Sequence, residues 1–252
     1  MDVPEVSYRL ENRVVIVTGA SSGLGRWLAE GLDRAGARLV LTARRADRVQ
    51  GLADGLRSAI AIPGDIADDS HRVRLVEQAH ATFGRIDGVV NNAGILNYGR
   101  AVDESAEDVR RLLEVNVVGP FDLARRCVEH MRAAGGGSIV NITSMSAIVA
   151  TGLTVPSAGY CASKAALAHL TRELAVQWGR HNVRVNAVAP GLFPTEMTGG
   201  PEEMPDFFSS RLALRRPGRA QDIIGAVQYL LSDASAYVTG QQLPVDGGRT
   251  IT

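Results

Sequence analysis

Residues 14–25 read Val14-Val15-Ile16-Val17-Thr18-Gly19-Ala20-Ser21-Ser22-Gly23-Leu24-Gly25. Four β-branched residues in a row predict a strand buried on both faces, as in a parallel sheet rather than a half-solvated one. The run stops in a glycine-rich turn. Trp27, Leu28, Gly31 and Leu32 then follow at helical spacing as far as Gly36. Strand, tight turn and helix in that order offer backbone N–H groups and the positive end of a helix dipole to a pyrophosphate. The glycine spacing is GxxxGxG rather than the commoner GxGxxG, and alone such a pattern is weak. Its place directly after the first buried strand gives it weight.

Outward from this segment, short apolar runs alternate with amphipathic stretches. Strands are predicted at Leu39 to Leu41, Ile60 to Ile62, Ile86 to Val90, Ser138 to Ile142, Val183 to Val188 and, briefly, Leu243 to Val245. Helices are predicted around Val49 to Leu56 and Asp69 to Phe83, with one more long helix before Ser138. Continuous apolar strands separated by helices imply a parallel sheet covered on both faces, joined by right-handed crossovers. The fold class is α/β, a doubly wound Rossmann sheet of about seven strands. No linker, repeat or low-complexity tract divides residues 1–252, so a single domain is expected.

Composition narrows the function. Hydrophobic residues make up 45% and charged residues 21% of the chain, as in ordinary globular proteins. Twenty-seven basic residues balance twenty-seven acidic ones, so there is no polybasic field for nucleic acid or an anionic membrane. No apolar run approaches the roughly 18 residues of a membrane span. Asp2, Glu5, Arg9 and Glu11 interrupt any apolar core of a secretory signal in Met1 to Asn12. Cys127 and Cys161 read as buried apolar residues, and a reducing cytoplasm is the expected location. The five histidines never fall at metal-ligand spacing, so no metal is expected.

The second strand ends in Thr42-Ala43-Arg44-Arg45. An acidic residue here would bind a free ribose 2′-hydroxyl, whereas an arginine accommodates a 2′-phosphate. Ala43 brings no carboxylate, while Arg44 or Arg45 brings a bidentate fork. NADP(H) is therefore favoured over NAD(H). Further along, Tyr160 and Lys164 lie four apart, on one face of an apolar helical stretch running through Ala165 to Ala175. A nearby ammonium stabilises a phenolate and would draw the Tyr160 pKa toward neutrality. Such pairs are common, but Lys164 is the sole lysine in a chain with 26 arginines. With five tyrosines in 252 positions, a lone lysine falls four after a tyrosine about once in fifty.

Taken in order, Thr18 to Gly25, Asp65-Ile66, Asn91-Asn92-Ala93-Gly94, Asn116, Ser144, Tyr160 with Lys164, and Pro190-Gly191 followed by Thr195 resemble the short-chain dehydrogenase/reductase (SDR) family over essentially the whole chain. The resemblance implies a hydride transfer between a nicotinamide and a ketone or secondary alcohol. It implies that Tyr160 exchanges the proton, Ser144 polarises the substrate oxygen, Lys164 binds the ribose and tunes Tyr160, and Asn116 supports a water leading to Lys164. Cofactor contacts are implied for Gly19, Ser21, Ser22, Gly23, Leu24, Gly25, Arg44, Arg45, Asp65, Ile66, Asn92, Ala93, Gly94, Tyr160, Lys164, Pro190, Gly191 and Thr195. Ser144 precedes Tyr160 by sixteen residues, a few more than the family usually places there, and Ser146 competes for the polarising role.

Residues 193–214, with Met197, Met204, Phe207 and Phe208, resemble the family's substrate lid. The substrate class stays open among ketones, sugars or polyols, acyl thioesters and steroids, and a non-catalytic cofactor sensor is the alternative of another kind. Zero net charge and the apolar helix residues Leu167, Leu170, Leu174 and Trp178 point to a homo-oligomer, as does the family-like terminus Val245 to Gly248. A tetramer is expected.

Overall fold

The computed structural model describes residues 6–151, 156–198 and 210–252. Among these, seven strands form one all-parallel sheet in the order β3-β2-β1-β4-β5-β6-β7. The strands are β1 (Val14–Thr18), β2 (Arg38–Thr42), β3 (Ala59–Ala61), β4 (Gly88–Asn91), β5 (Gly137–Ile142), β6 (Val183–Pro190) and β7 (Gln242–Val245). Val15 and Val17 of β1 enter a core on one side of the sheet, while Val14 and Ile16 enter a second core on the other. Two buried faces explain the unbroken apolar run.

Helices α1 (Gly23–Arg34) and α2 (Ala46–Asp54) cover the first face with α7 (Ala220–Leu231). Helices α3 (Asp69–Phe83), α5 (Gly119–Ala133) and α6 (Ala158–Trp178) cover the second. Helix α4 (Ala106–Leu113) leads into α5 through a π-helical turn, Glu114–Val118. The strand order reverses between β1 and β4, and in such sheets the crevice at that switch point takes the ligand.

Several expectations shift. The long helix before β5 is two helices broken by the π-turn, and α7 was not foreseen. Strand β4 begins at Gly88 rather than Ile86, because Asp87 instead closes the end of β1 by accepting from Val14 N–H at 2.8 Å. Cys127 is fully buried, but Cys161 is only half-buried, against the hydroxyls of Thr151 and Ser157. Leu167 and Leu174 lie in the core of the single chain, with Leu170 and Trp178 packed beside it. Their apolarity is thus used internally and gives no ground for an oligomer.

Candidate active site

The crevice is an open cleft of about 620 Å³ above the carboxyl ends of the central strands. The glycine loop forms its floor. Gly19 has φ +69°, open to glycine but strained for other residues, and a Cβ on Gly25 would lie 2.3 Å from the Gly19 carbonyl oxygen. Thr18 Oγ1 accepts from the N–H groups of Asn92 and Ala93 at 3.0 and 2.9 Å, and the Asn92 amide donates to Thr18 O at 2.9 Å. This lacing fixes the loop against β4. Ser22, at the N-cap of α1, makes no side-chain cap, leaving the helix's first N–H groups facing the cleft. A cradle with no room for side chains and an uncapped helix end fits a dinucleotide pyrophosphate.

All eighteen residues expected to contact the cofactor line this cleft. At its outer edge Asp65 is held below the usual carboxylate range. Burial pushes it up, but the Ala67 N–H and the Arg111 guanidinium outweigh that. Behind Ile66, its carbonyl accepts from Arg72, whose buried guanidinium also grips Asp122 of α5 at 2.7 Å. Ala43 is buried at the rim beside an exposed Arg44, which makes no hydrogen bond or ion pair among the described residues. Arg45 instead donates to Ser21 at 3.0 Å and to Ser22.

At the inner end, β5 delivers Ser144 and α6 delivers Tyr160 and Lys164. Ser144 Oγ accepts from Ser146 N–H at 3.1 Å, which turns the chain and leaves its own proton free for Tyr160. Ser144 lines the cleft and Ser146 does not. Lys164 is buried, donates to Ile142 O at 2.9 Å and lies 5.7 Å from the Tyr160 ring centroid. The expected lowering of the Tyr160 pKa is absent. Burial pushes the phenol up to about 12, more than the Ser144 hydroxyl pulls it down, while burial brings Lys164 down to about 8. Lys164 donates to the Ile142 carbonyl and lies beside the Tyr160 ring, and burial dominates at the phenol. Burial thus favours the protonated phenol at Tyr160.

Asn116 does not line the cleft. The π-turn carries it behind Gly94, where Oδ1 accepts from Ile95 N–H at 2.9 Å and Nδ2 donates to Ile95 O and Ser163 Oγ, both at 3.0 Å. A Cβ on Gly94 would sit 3.1 Å from Asn116 Oδ1 and 3.3 Å from Lys164 Nζ, a tight fit that would require either neighbour to shift by a few tenths of an ångström. Asn91 points away from the cleft and bridges to Asn141 of β5 at 2.8 Å, bracing the sheet.

Sequence reasoning missed Glu104, whose Oε2 accepts from Gly159 N–H at 2.9 Å at the start of α6, beside Tyr160. It also missed Glu196, which lines the cleft next to Thr195. Both act on partners distant in the chain, so no local pattern marks them. Of the expected lid, Phe193 is buried in the core and Met197 lines the cleft. Met204, Phe207 and Phe208 lie outside the described residues, as does part of the long Ser144–Tyr160 connection.

Known proteins resemble this chain over almost all its length. A family model described as enoyl-(acyl carrier protein) reductase matches residues 19–250. Gluconate 5-dehydrogenase of Gluconobacter oxydans is 36% identical, with 97% of each chain covered. Galactitol 2-dehydrogenase (L-tagatose-forming) of Cereibacter sphaeroides is 37% identical, again with 97% of each covered. The crystal structure of a gluconate 5-dehydrogenase from Burkholderia cenocepacia with NADP and tartrate superposes with TM-score 0.90 at 33% identity, covering 97% of this chain and 98% of that one. The chain belongs to the short-chain dehydrogenase/reductase family and is an oxidoreductase of CH–OH and C=O groups.

Proposed function

We propose that the protein is an NADP(H)-dependent enzyme that interconverts a ketone and a secondary alcohol, with Tyr160 as its acid and base. The carrying observation is that Tyr160, Ser144 and Lys164 line the same cleft as the glycine loop. When bound, the nicotinamide cofactor supplies or accepts the hydride. The chain's own residues manage the oxygen and its proton. Ser144 donates to the substrate oxygen, and Tyr160 Oη gives that oxygen its proton in the reducing direction. A phenol held near 12 keeps the proton until a developing alkoxide claims it. Lys164 holds the nicotinamide ribose and, once turned toward it, steadies the phenolate left behind. Asn116 fixes the wall at Gly94 and Ile95 and supports a water beside Lys164.

The uncharged Ala43 and the anchored Arg45 support the choice of NADP(H). Charge-assisted hydrogen bonds are worth roughly 1.5–3 kcal/mol, hence a preference of about ten- to hundredfold. The described residues contain no helix long and apolar enough to cross a membrane, and both cysteines are free, which supports a cytoplasmic enzyme. A homotetramer is part of the same reading. It is supported by the exposed Leu243 on edge strand β7 and by the exposed Val176, Tyr237 and Ile251.

A polyol or sugar substrate is favoured by the gluconate and galactitol dehydrogenases among the relatives. The test follows NADPH absorbance over a panel of ketones, including keto-sugars, beside Tyr160→Phe. Turnover that falls by about 10²–10⁴-fold in the variant is expected. Cofactor binding with no turnover above the Tyr160→Phe level would instead leave the sensor alternative standing.

A further inference from the structure

An ion cluster at the mouth of the cleft is not explained by the catalytic reading. Glu196 places one carboxylate oxygen 2.8 Å from Arg45 Nη1 and the other 2.7 Å from Arg48 Nη1. Arg45 is at the same time 3.1 Å from Ser21 Oγ through Nε and 3.0 Å from it through Nη2. All three nitrogens of its fork are thus engaged, two on the glycine loop and one on Glu196. The partners come from opposite walls: Arg45 and Arg48 lie at the start of α2, and Glu196 follows β6. Both guanidinium groups hold the Glu196 carboxyl below its usual range.

A guanidinium fork has a limited set of donors, and a ribose 2′-phosphate must compete for them. Such a phosphate carries close to two negative charges and three acceptor oxygens. Four of the five Arg45 N–H donors are engaged, so a phosphate that takes the Nη1 side of the fork meets Glu196 there, and a carboxylate left nearby opposes the incoming dianion. A 2′-hydroxyl is neutral and makes neither demand. We infer that Glu196 is a specificity-determining residue that acts as an internal rival of the 2′-phosphate, restraining NADP(H) binding while leaving NAD(H) binding nearly untouched. Individual exposed ion pairs are weak. Here, however, one carboxylate spans two arginines, and it competes with the ligand for the Nη1 side of the Arg45 fork. The inference rests on the reading that Arg45 recognises the 2′-phosphate.

The experiment is calorimetric titration of the purified protein with NADP⁺, NAD⁺, adenosine 2′,5′-bisphosphate and AMP, without substrate or turnover. Glu196→Gln keeps the shape and removes the charge; Glu196→Ala removes both. The expected result is about three- to tenfold tighter binding of NADP⁺ and of the bisphosphate in both variants, with NAD⁺ and AMP within twofold of wild type. An unchanged NADP⁺/NAD⁺ ratio, or equal weakening of both cofactors, would overturn the role of Glu196. Arg45→Ala separates the two layers. If it leaves the wild-type ratio intact, the reading of Arg45 fails and the rivalry with it. If it collapses the ratio while Glu196→Gln matches wild type, only the rivalry fails. Circular dichroism and thermal unfolding confirm that each variant folds.

Discussion

Lys164 is the one basic position where arginine is absent, and its surroundings show what an ammonium does there that a guanidinium does not. It is 4% exposed and wedged between Ile142 O, the Tyr160 ring and Gly94. A planar guanidinium is larger, and its fork suits carboxylates and phosphates rather than one carbonyl. Lys164→Arg should lower kcat/KM by at least about a hundredfold, the cost of a misplacement near 1 Å, with the circular dichroism spectrum unchanged. Near-normal turnover would show that the proposed pairing with Tyr160 is wrong. Burial also leaves a signature in stability. Lys164 titrates near 8 in the folded chain against 10.5 as its ordinary value. Between those values the unfolded chain holds a proton that the folded one has lost, so stability rises with pH, by at most about 1.4 kcal/mol per pH unit. Below pH 8 the penalty on the charged lysine is complete. Tyr160 works the other way above pH 10, since its folded pKa is raised to about 12. Comparing denaturation of wild type and Lys164→Met cancels Tyr160. Wild type should gain on the variant from pH 8 to 10, and a constant difference would contradict the buried, discharging lysine.

At the scale of elements, the glycine loop and the π-turn set the site's dimensions. Gly25→Ala would drive a methyl against the Gly19 carbonyl and the Asn92 amide, both backbone-anchored. Overpacking of this kind costs about 1–3 kcal/mol, so the denaturation midpoint should fall and NADP⁺ affinity drop with it. An unaltered midpoint together with unaltered affinity would refute the close fit. The β1–α1 unit was legible in the sequence because its signal is local: a buried strand, then glycines, then a helix. Tyr160 and Lys164 were legible for the same reason, one helical turn apart. Helix α7 was not. Ile223, Val227 and Leu230 do recur at helical spacing, but Arg219 is no capping residue, and its N–H is closed by Asp222 reaching back at 2.8 Å. The π-turn was equally hidden, since its extra residue shows only in how Asn116 swings behind Gly94. Glu104 and Glu196 meet partners 55 and about 150 residues away, so only the folded chain joins them.

At the scale of the whole molecule, β7 is an edge strand with Leu243 39% exposed and the fully exposed Tyr237 near its start. Light scattering at micromolar concentration should report a tetramer, and Leu243→Lys should move the population toward smaller species. A monomeric wild type would overturn the assembly. The strand order carries a further consequence, for how the chain is made. The first three strands form one flank, β3-β2-β1, and β4 then joins β1 on its free side. From there β5, β6 and β7 add outward one at a time, each beside its predecessor in sequence. A ribosome thus releases the strands in the order in which the second flank can accept them. Until the next strand arrives, however, each nascent intermediate ends in a bare apolar edge open to a stranger's strand. The longest such stretch runs from Pro190 to Gln242, with β6 as the open edge, so a chaperone's cover spans the most chain there.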